Sequence, residues 1–356
     1  MALKMKVLKR AEFFIAIFFL LLPNVFWAQA VDLSNIDEAF SRPVVGQKAA
    51  LIVVGPSVTE KASLSFGQWG ETLYDVLLRE YGYLTENIRL LYVSGDEGKL
   101  LGERVVGKAD IETLKIEIET LSEKLSSGDQ VSIFLIGHGT GSGLEAKFNI
   151  VGPDITGSYF AELLKSFSKQ DLVVVDTTSA SYGFARALSN RGRVVVSATR
   201  SASEKYDPVF AEYFVRGLEN HNADRDKNGR VSFFEVFQYA RLNVASHYED
   251  LDRLASEHAG LDDNGDSVFS ATLGFDDLDG RLAEIAYVDT SFRNGAPLDS
   301  AAQKLQLKIE NLERKIFNLR ARKRDLLEDE YWPQMEVLLI ELARTTEVFL
   351  EKTSLR

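Results

Sequence analysis

The chain alternates short runs that are apolar throughout with longer segments whose apolar residues recur every three or four positions. Lys48 to Pro56 (KAALIVVGP) is a β-branched run that stops at Gly-Pro, and Asn87 to Val93 (NIRLLYV) is a second. Val131 to Ile136 is a third, and it delivers His138 between two glycines. Leu172 to Asp176 is a fourth, ending in Thr177-Thr178-Ser179-Ala180-Ser181, and Gly192 to Arg200 (GRVVVSATR) is a fifth. Runs this short without polar alternation predict strands buried on both faces. Between them, Gly67 to Tyr81 carries Trp69, Leu73, Val76, Leu77 and Tyr81, and Ala109 to Leu125 carries Ile111, Leu114, Ile118, Leu121 and Leu125. Thr156 opens a short helix with Tyr159, Phe160, Leu163 and Leu164. Further helices run through Phe184 and Leu188, and through Phe210, Phe214 and Leu218. Strands alternating with amphipathic helices predict an α/β fold with a mostly parallel sheet sandwiched by helices. In such sheets function gathers at the carboxyl ends of strands, where His138, Ser179 and Ser201-Ala-Ser203-Glu204 fall.

The two ends of the chain read differently. Lys4, Lys6, Lys9 and Arg10 precede an apolar run from Phe13 to Leu22, and Ala28-Gln-Ala30 follows. This is the pattern of a cleaved secretory signal, with an uncleaved anchor as the alternative. The reading implies export, to a periplasmic or secreted location, of a mature chain beginning near Val31. No later run is long enough to span a membrane. Near the other end, Leu305, Ile309, Leu312, Ile316, Leu319 and Leu326 follow heptad spacing, with Lys323 breaking the seam. Pro333 ends or kinks this coiled-coil helix after Tyr331-Trp332, and a second helix carries Met335, Leu338, Leu339, Leu342 and Val348. The pair is either a hairpin that docks on itself or a surface for a dimer or another partner. The organisation expected is a signal over 1–30, a linker over 31–47, an α/β domain over 48–220 and a helix-loop-helix over 207–250. An acidic connecting segment over 251–298 and the helical pair over 299–356 complete it.

Charge and cysteine content narrow the partners. The net charge is −12. The first thirty residues hold four Lys/Arg and one Glu, so 37 basic and 52 acidic residues remain without them, a net of −15. That excludes nucleic acid and anionic membrane surfaces as natural partners. There is no cysteine, so an exported chain is held by its core or by metal rather than by disulfides.

One segment has metal-ligand spacing. Asp224-Arg-Asp226-Lys-Asn228-Gly229-Arg230-Val-Ser232-Phe-Phe-Glu235 matches the twelve-residue EF-hand loop at each diagnostic position. Asp224, Asp226 and Asn228 stand at positions one, three and five, and Gly229 makes the turn at six. Arg230 offers its carbonyl at seven, Ser232 stands at nine, and Glu235 is the bidentate ligand at twelve. Calcium is the cofactor this implies. A second cluster, Asp262-Asp263-Asn264-Gly265-Asp266, lacks a ligand at position twelve, where Leu273 stands. It reads as an Asx-rich turn or as extra oxygens for a nearby cation. Glu257-His258 reads as a surface pair.

The strand ends carry a resemblance. Gly137-His138-Gly139-Thr140, Phe148-Asn-x-x-Gly-Pro-Asp154-x-Thr156, Thr178-Ser-Ala-Ser181 and Ala198-Thr-Arg-Ser201 follow one another between Lys48 and Phe214. In this region the chain resembles the caspase/legumain (hemoglobinase) type of cysteine peptidase, and more narrowly a bacterial exported branch of it. The resemblance implies that His138 is the catalytic imidazole and that Gly139 lets a peptide approach closely. It puts Ser179 at the cysteine position, or Thr178 if the match slips by one, and Tyr182 where the family keeps Gly. Arg200 and Glu204 fall where caspase-like proteins build the substrate side-chain pocket. Two function classes follow: a degenerate peptidase fold that binds a peptide or protein in a calcium-braced scaffold, or a hydrolase using a Ser179–His138 dyad. A serine hydroxyl ionises far less readily than a thiol, and Tyr182 is expected to crowd the site, which favours the first.

Overall fold

β1 (Lys48–Val54) is buried beyond Lys48, and its side chains alternate between two apolar layers. Ala49, Leu51 and Val53 face one layer; Ala50, Ile52 and Val54 face the other. The structure is a computed structural model that describes residues 39–40, 46–93, 102–201, 203–204, 206, 208–273, 279–290, 292–293 and 296–354. The expected signal segment lies outside the described residues.

The elements that follow β1 are α1 (Glu60–Arg79), β2 (Ile88–Tyr92), β3 (Val105–Gly107), α2 (Ile111–Lys124) and β4 (Gln130–Ile136). A small antiparallel sheet comes next, β5 (Gly139–Thr140), β6 (Lys147–Phe148) and β7 (Ile155–Thr156). Then come α3 (Gly157–Leu163), β8 (Asp171–Asp176), α4 (Ser181–Leu188), β9 (Arg193–Ser197), α5 (Phe210–Leu218), α6 (Phe233–Asp250), β10 (Gly260–Asp262) and α7 (Arg281–Ile285). The chain closes with α8 (Ser300–Ala321) and α9 (Glu328–Ser354). The main sheet has the order β10-β9-β8-β4-β1-β2-β3, parallel throughout except for β10, which runs antiparallel to β9. One face is covered by α1, α5 and α6 through Phe66, Leu73, Leu77, Phe210, Phe214, Phe233 and Phe237. The other is covered by α2, α3 and α4 through Leu114, Ile118, Leu121, Phe160, Phe184 and Leu188. Each such side chain, fully buried, contributes about 1.5–3 kcal/mol.

Caps set the helix starts. The Thr59 hydroxyl accepts from Ala62 N–H, which starts α1 seven residues before the apolar stripe begins at Gly67. Asp110 caps α2 and Thr156 caps α3 in the same way. Two acidic groups read differently in three dimensions. Glu257 is not a surface residue: it is 3% exposed, and its carboxylate takes the N–H groups of Val209 and Phe210 and the Tyr248 hydroxyl. The entry to α5 carries no side-chain cap of its own, so its orphan donors are met from afar. In the Asp262 cluster, Asp262 accepts from Gly265 and Ser267 N–H, and Asp263 accepts from Gly280 and Ala283 N–H at the start of α7. The cluster thus forms a turn and a cap.

α8 and α9 form an antiparallel hairpin. Ala302, Leu305 and Ile309 meet Leu342, Phe349 and Leu350, while Ile316 and Leu319 meet Tyr331, Met335 and Leu338. Pro333 lies inside α9, not at its start. It is the sixth residue of the helix, beyond the four donors that lack intrahelical partners, so its missing N–H leaves Asp329 O without its helical bond. No helix among the described residues is long and apolar enough to cross a membrane.

Candidate functional site

Parallel pairing of β1, β4 and β8 brings three loops together at the carboxyl edge of the sheet. Val54 pairs with Ile136, and Leu135 pairs with Asp176. Two residues beyond Ile136 stands His138, three beyond Asp176 stands Ser179, and three beyond Val54 stands Ser57. His138 is half-buried. Its ring meets the edge of Phe66 at 5.0 Å between centroids, and its Nε2 shares a hydrogen bond of 2.9 Å with Ser57 Oγ. Ser57 also accepts from Thr59 N–H at 3.3 Å, which fixes its hydroxyl at the mouth of α1.

Ser179 is held in another way. Gly139 N–H donates to Ser179 Oγ at 3.2 Å, and the Ser179 hydroxyl donates to Gly139 O at 3.3 Å. The approach is so close that a Cβ built on Gly139 would stand 2.1 Å from Ser179 O and 2.8 Å from Thr178 Oγ1. Ser179 is 3% exposed and Thr178 1%. The rest of the loop is bound just as fully. Thr177 Oγ1 donates to Leu135 O at 2.7 Å, and Thr178 N–H and Oγ1–H donate to Asp176 Oδ1 at 3.0 and 2.7 Å. Ala180, with φ of 53°, gives its N–H to Glu204 O. Ser181 joins Ser197 and Thr199 in a fully buried hydroxyl network with contacts of 2.9 Å. Both hydroxyls at the cysteine position, and their neighbours, are thus engaged in structural bonds. The Tyr182 ring packs on Phe269 at 6.0 Å and under the Arg186 guanidinium, so burial and Gly139, rather than Tyr182, close the site around Ser179.

Arg200 and Glu204 meet through the Arg200 backbone N–H and the Glu204 carboxylate. Arg200 is exposed. The Glu204 carboxylate accepts from Arg200 N–H and His258 N–H at 3.0 Å each, and pairs with His258 Nδ1 at 2.9 Å. It is a strut from the Ser179 loop to the segment after α6.

Beneath the loop, Asp176 is fully buried, and burial pushes its carboxyl up from 3.8 to about 7, against the opposing hydrogen bonds from Thr178. Its second oxygen has no hydrogen-bond partner among the described residues. The unfolded chain releases this proton near pH 4, whereas the folded chain keeps it until about pH 7. The native state therefore loses stability as pH rises through that window, by about 1.4 kcal/mol per unit of displacement. Asp176→Asn removes the loss. The variant should match the wild type in Tm at pH 4 and exceed it at pH 8; a Tm difference that does not change between the two would contradict the assignment.

At the other end of α5, the Asp224 loop brings Asp224, Asp226 and Glu235 together, with ligand oxygens all within 4.8 Å of one another. Gly229, with φ of 78°, makes the sharp turn, and its N–H donates to Asp224 Oδ2. Asn228 N–H donates to Asp224 and Asp226. Glu235 and Ser232 form a reciprocal capping box that opens α6. Burial raises Asp224 and pushes Glu235 up to about 7, as expected for carboxylates gathered without a counter-charge. The triad could hold a metal ion, and an all-oxygen donor set suits a hard divalent cation. The Arg230 side chain leaves the loop altogether. Its guanidinium lies 3.5 Å over the Tyr287 ring and reaches Glu310 and Glu313 of α8 at 3.4 and 3.6 Å, tying the loop to the hairpin.

Ser57 was not foreseeable from the sequence. A serine after Gly-Pro carries no signal of its own, and only the pairing of β1 with β4 sets it on His138.

No family model matches the chain, and no curated protein matches it. Among solved structures, protein GSU0716 from Geobacter sulfurreducens is similar over 55% of this chain and 89% of its own, with a TM-score of 0.40 and 11% identity. A likeness this loose carries no argument about fold or function.

Proposed function

We propose that the protein is an exported, catalytically degenerate homologue of caspase/legumain-type peptidases. It acts as a peptide- or protein-binding module braced by calcium at the Asp224 loop. The observation that carries the reading is the state of Ser179: it stands at the edge where a nucleophile belongs, beside the His138 strand, yet its hydroxyl is buried and bonded to the Gly139 backbone. An attacking oxygen must reach the base and the substrate at once. Here His138 Nε2 is met by Ser57 instead. A hydrolase reading needs the Ser179 hydroxyl freed from Gly139, and Thr178, the alternative by one position, is bonded to Asp176. What remains at the edge is a half-buried imidazole beside hydroxyl and backbone groups, which suits holding a peptide rather than cutting it.

Cation binding supports the same use. Asp224, Asp226, Asn228 and Glu235 would hold calcium through side-chain oxygens, Arg230 through its carbonyl, and Ser232 directly or through water. The ion would fix the loop between α5 and α6, and with it the Arg230 link to the hairpin.

The test is a peptide library that varies the residue before the cut, offered to wild type, Ser179→Ala, Thr178→Ala and Ser179→Cys. The first three should retain peptides without cleaving them, and cleavage can arise only in the Cys variant. Robust wild-type cleavage lost in Ser179→Ala would establish a serine peptidase, and loss only in Thr178→Ala would move the nucleophile by one residue. Absence of any retained peptide would overturn the binding role.

A further inference from the structure

The hydroxyl that meets His138 is Ser57, and both residues are half-buried rather than sealed. Their separation of 2.9 Å is set by the backbone on either side. Gly55 N–H donates to Ile136 O at 2.9 Å, which ties the end of β1 to the end of β4, and Asn149 N–H donates to His138 O at 2.9 Å. A Cβ built on Gly55 would stand 2.3 Å from Asn149 O, so Asn149 braces both loops. Ser57 Oγ already accepts from Thr59 N–H at 3.3 Å, which leaves its own hydrogen to be given to His138 Nε2. That direction assigns the ring hydrogen of the neutral imidazole to Nδ1. A hydroxyl that gives its hydrogen to an imidazole at a partly open sheet edge is a base-activated nucleophile in form. Donors stand next to it in the chain. Of the leading N–H groups of α1, that of Thr59 serves Ser57 and that of Ala62 serves Thr59 Oγ1, while those of Glu60 and Lys61 have no acceptor within the helix.

We propose that Ser57 and His138 form an acyl-transfer site for small carboxylic esters, distinct from the position of Ser179. Ser57 Oγ attacks the carbonyl carbon, and its proton passes to His138 Nε2. The bond from that carbon to the leaving oxygen breaks as the oxygen takes the proton, which leaves an acyl-Ser57. Water then attacks the same carbon and gives a proton to Nε2, and Ser57 Oγ departs with that proton. The N–H groups of Glu60 and Lys61 are the donors at hand for the carbonyl oxygen as it becomes negative. Val58, 99% exposed beside Ser57, offers a short acyl chain an apolar contact. An alkoxide or phenolate leaves with less protonation than the amine of a peptide needs, so esters are split here while a peptide at this edge stays whole. The activity is additional to the binding role and does not depend on it, and Ser179 keeps its structural part.

Wild type should hydrolyse p-nitrophenyl acetate, and Ser57→Ala and His138→Gln should each slow it roughly 100-fold, within the range that a general base contributes. A fluorophosphonate, which loses fluoride to the attacking oxygen, should be found on Ser57 by peptide mapping, and far more slowly in His138→Gln. Ser57→Cys gives a second readout that needs no turnover, because in a chain without cysteine the new thiol reports alone. At pH 7 it should react with iodoacetamide roughly 10-fold faster than the thiol of Leu254→Cys, since an adjoining imidazole favours the thiolate. Leu254 is 96% exposed, so access does not explain the difference. Adding His138→Gln to Ser57→Cys should remove the advantage. A wild type left unlabelled at Ser57 would overturn the proposal, as would labelling of Ser57 at an equal rate in His138→Gln, or a Ser57→Cys thiol no faster than that of Leu254→Cys. None of these three results touches the reading of Ser179. An adduct on Ser179 in place of Ser57 would overturn both.

Discussion

Glu235→Gln is expected to weaken calcium binding roughly 100-fold, about 2.8 kcal/mol at 1.4 kcal/mol per decade. Glu235 would be the bidentate ligand of the loop, and it is also the N3 residue of the α6 capping box. Gln keeps the cap, because its amide oxygen can still accept from Ser232 N–H, but it loses the charge that the cation needs. The substitution therefore separates metal affinity from helix stability. In the wild type, calcium at 100 times its Kd would stabilise the fold by about 2.7 kcal/mol, so chelation should lower Tm by roughly 4 °C. At the same calcium concentration the variant should gain only about 0.4 kcal/mol, and more calcium should be needed to raise its Tm. Calorimetry giving equal affinities for the two proteins would remove the loop from consideration.

Gly139→Ala is expected to be among the most damaging single substitutions in the α/β body. Its Cβ would overlap the Ser179 carbonyl oxygen at 2.1 Å, and that oxygen is backbone, held in place by β8 and by the Ala180–Glu204 hydrogen bond. A side chain could rotate away; here the ends of β4 and β8 must part. Overpacking of a tight site costs about 1–3 kcal/mol, and the rigid partner puts this case at the top of that range, a fall in Tm of roughly 4–5 °C. Ser179→Ala in the same background should give no rescue, because the clash is with the carbonyl and not the hydroxyl. Melting within 1 °C of wild type would show that the strand ends yield more easily than the contact implies.

The sheet was legible because its signal is local. Ala49 to Val54, Ile133 to Ile136 and Leu172 to Val175 are apolar without interruption, and burial on both faces explains such runs. The Asp224 loop was legible because its oxygen-bearing side chains are close in sequence and gathered by a turn at Gly229. What stayed hidden depends on contacts far apart in the chain. Ser57 lies 81 residues from His138, and Glu257 lies 47 from the Phe210 donor it satisfies. Period and spacing carry no information about such pairs. Ser179 was placed at the right strand end, yet its engagement by Gly139 could not be read, because it follows from the register Leu135↔Asp176. Tyr182 was misjudged for a related reason: its position in the sequence suggested crowding, whereas the first turn of α4 aims its ring at Phe269. Pro333 suggested a helix boundary, but α9 begins five residues earlier at Glu328 and runs through it.

The most direct test of the central claim is labelling of the purified protein with a fluorophosphonate serine probe, with and without calcium, read by intact mass and peptide mapping. The buried, bonded states of Ser179 and Thr178 predict no adduct at either residue in either condition. A stoichiometric adduct on Ser179 that disappears in His138→Ala would contradict it, and would make the protein a working serine hydrolase.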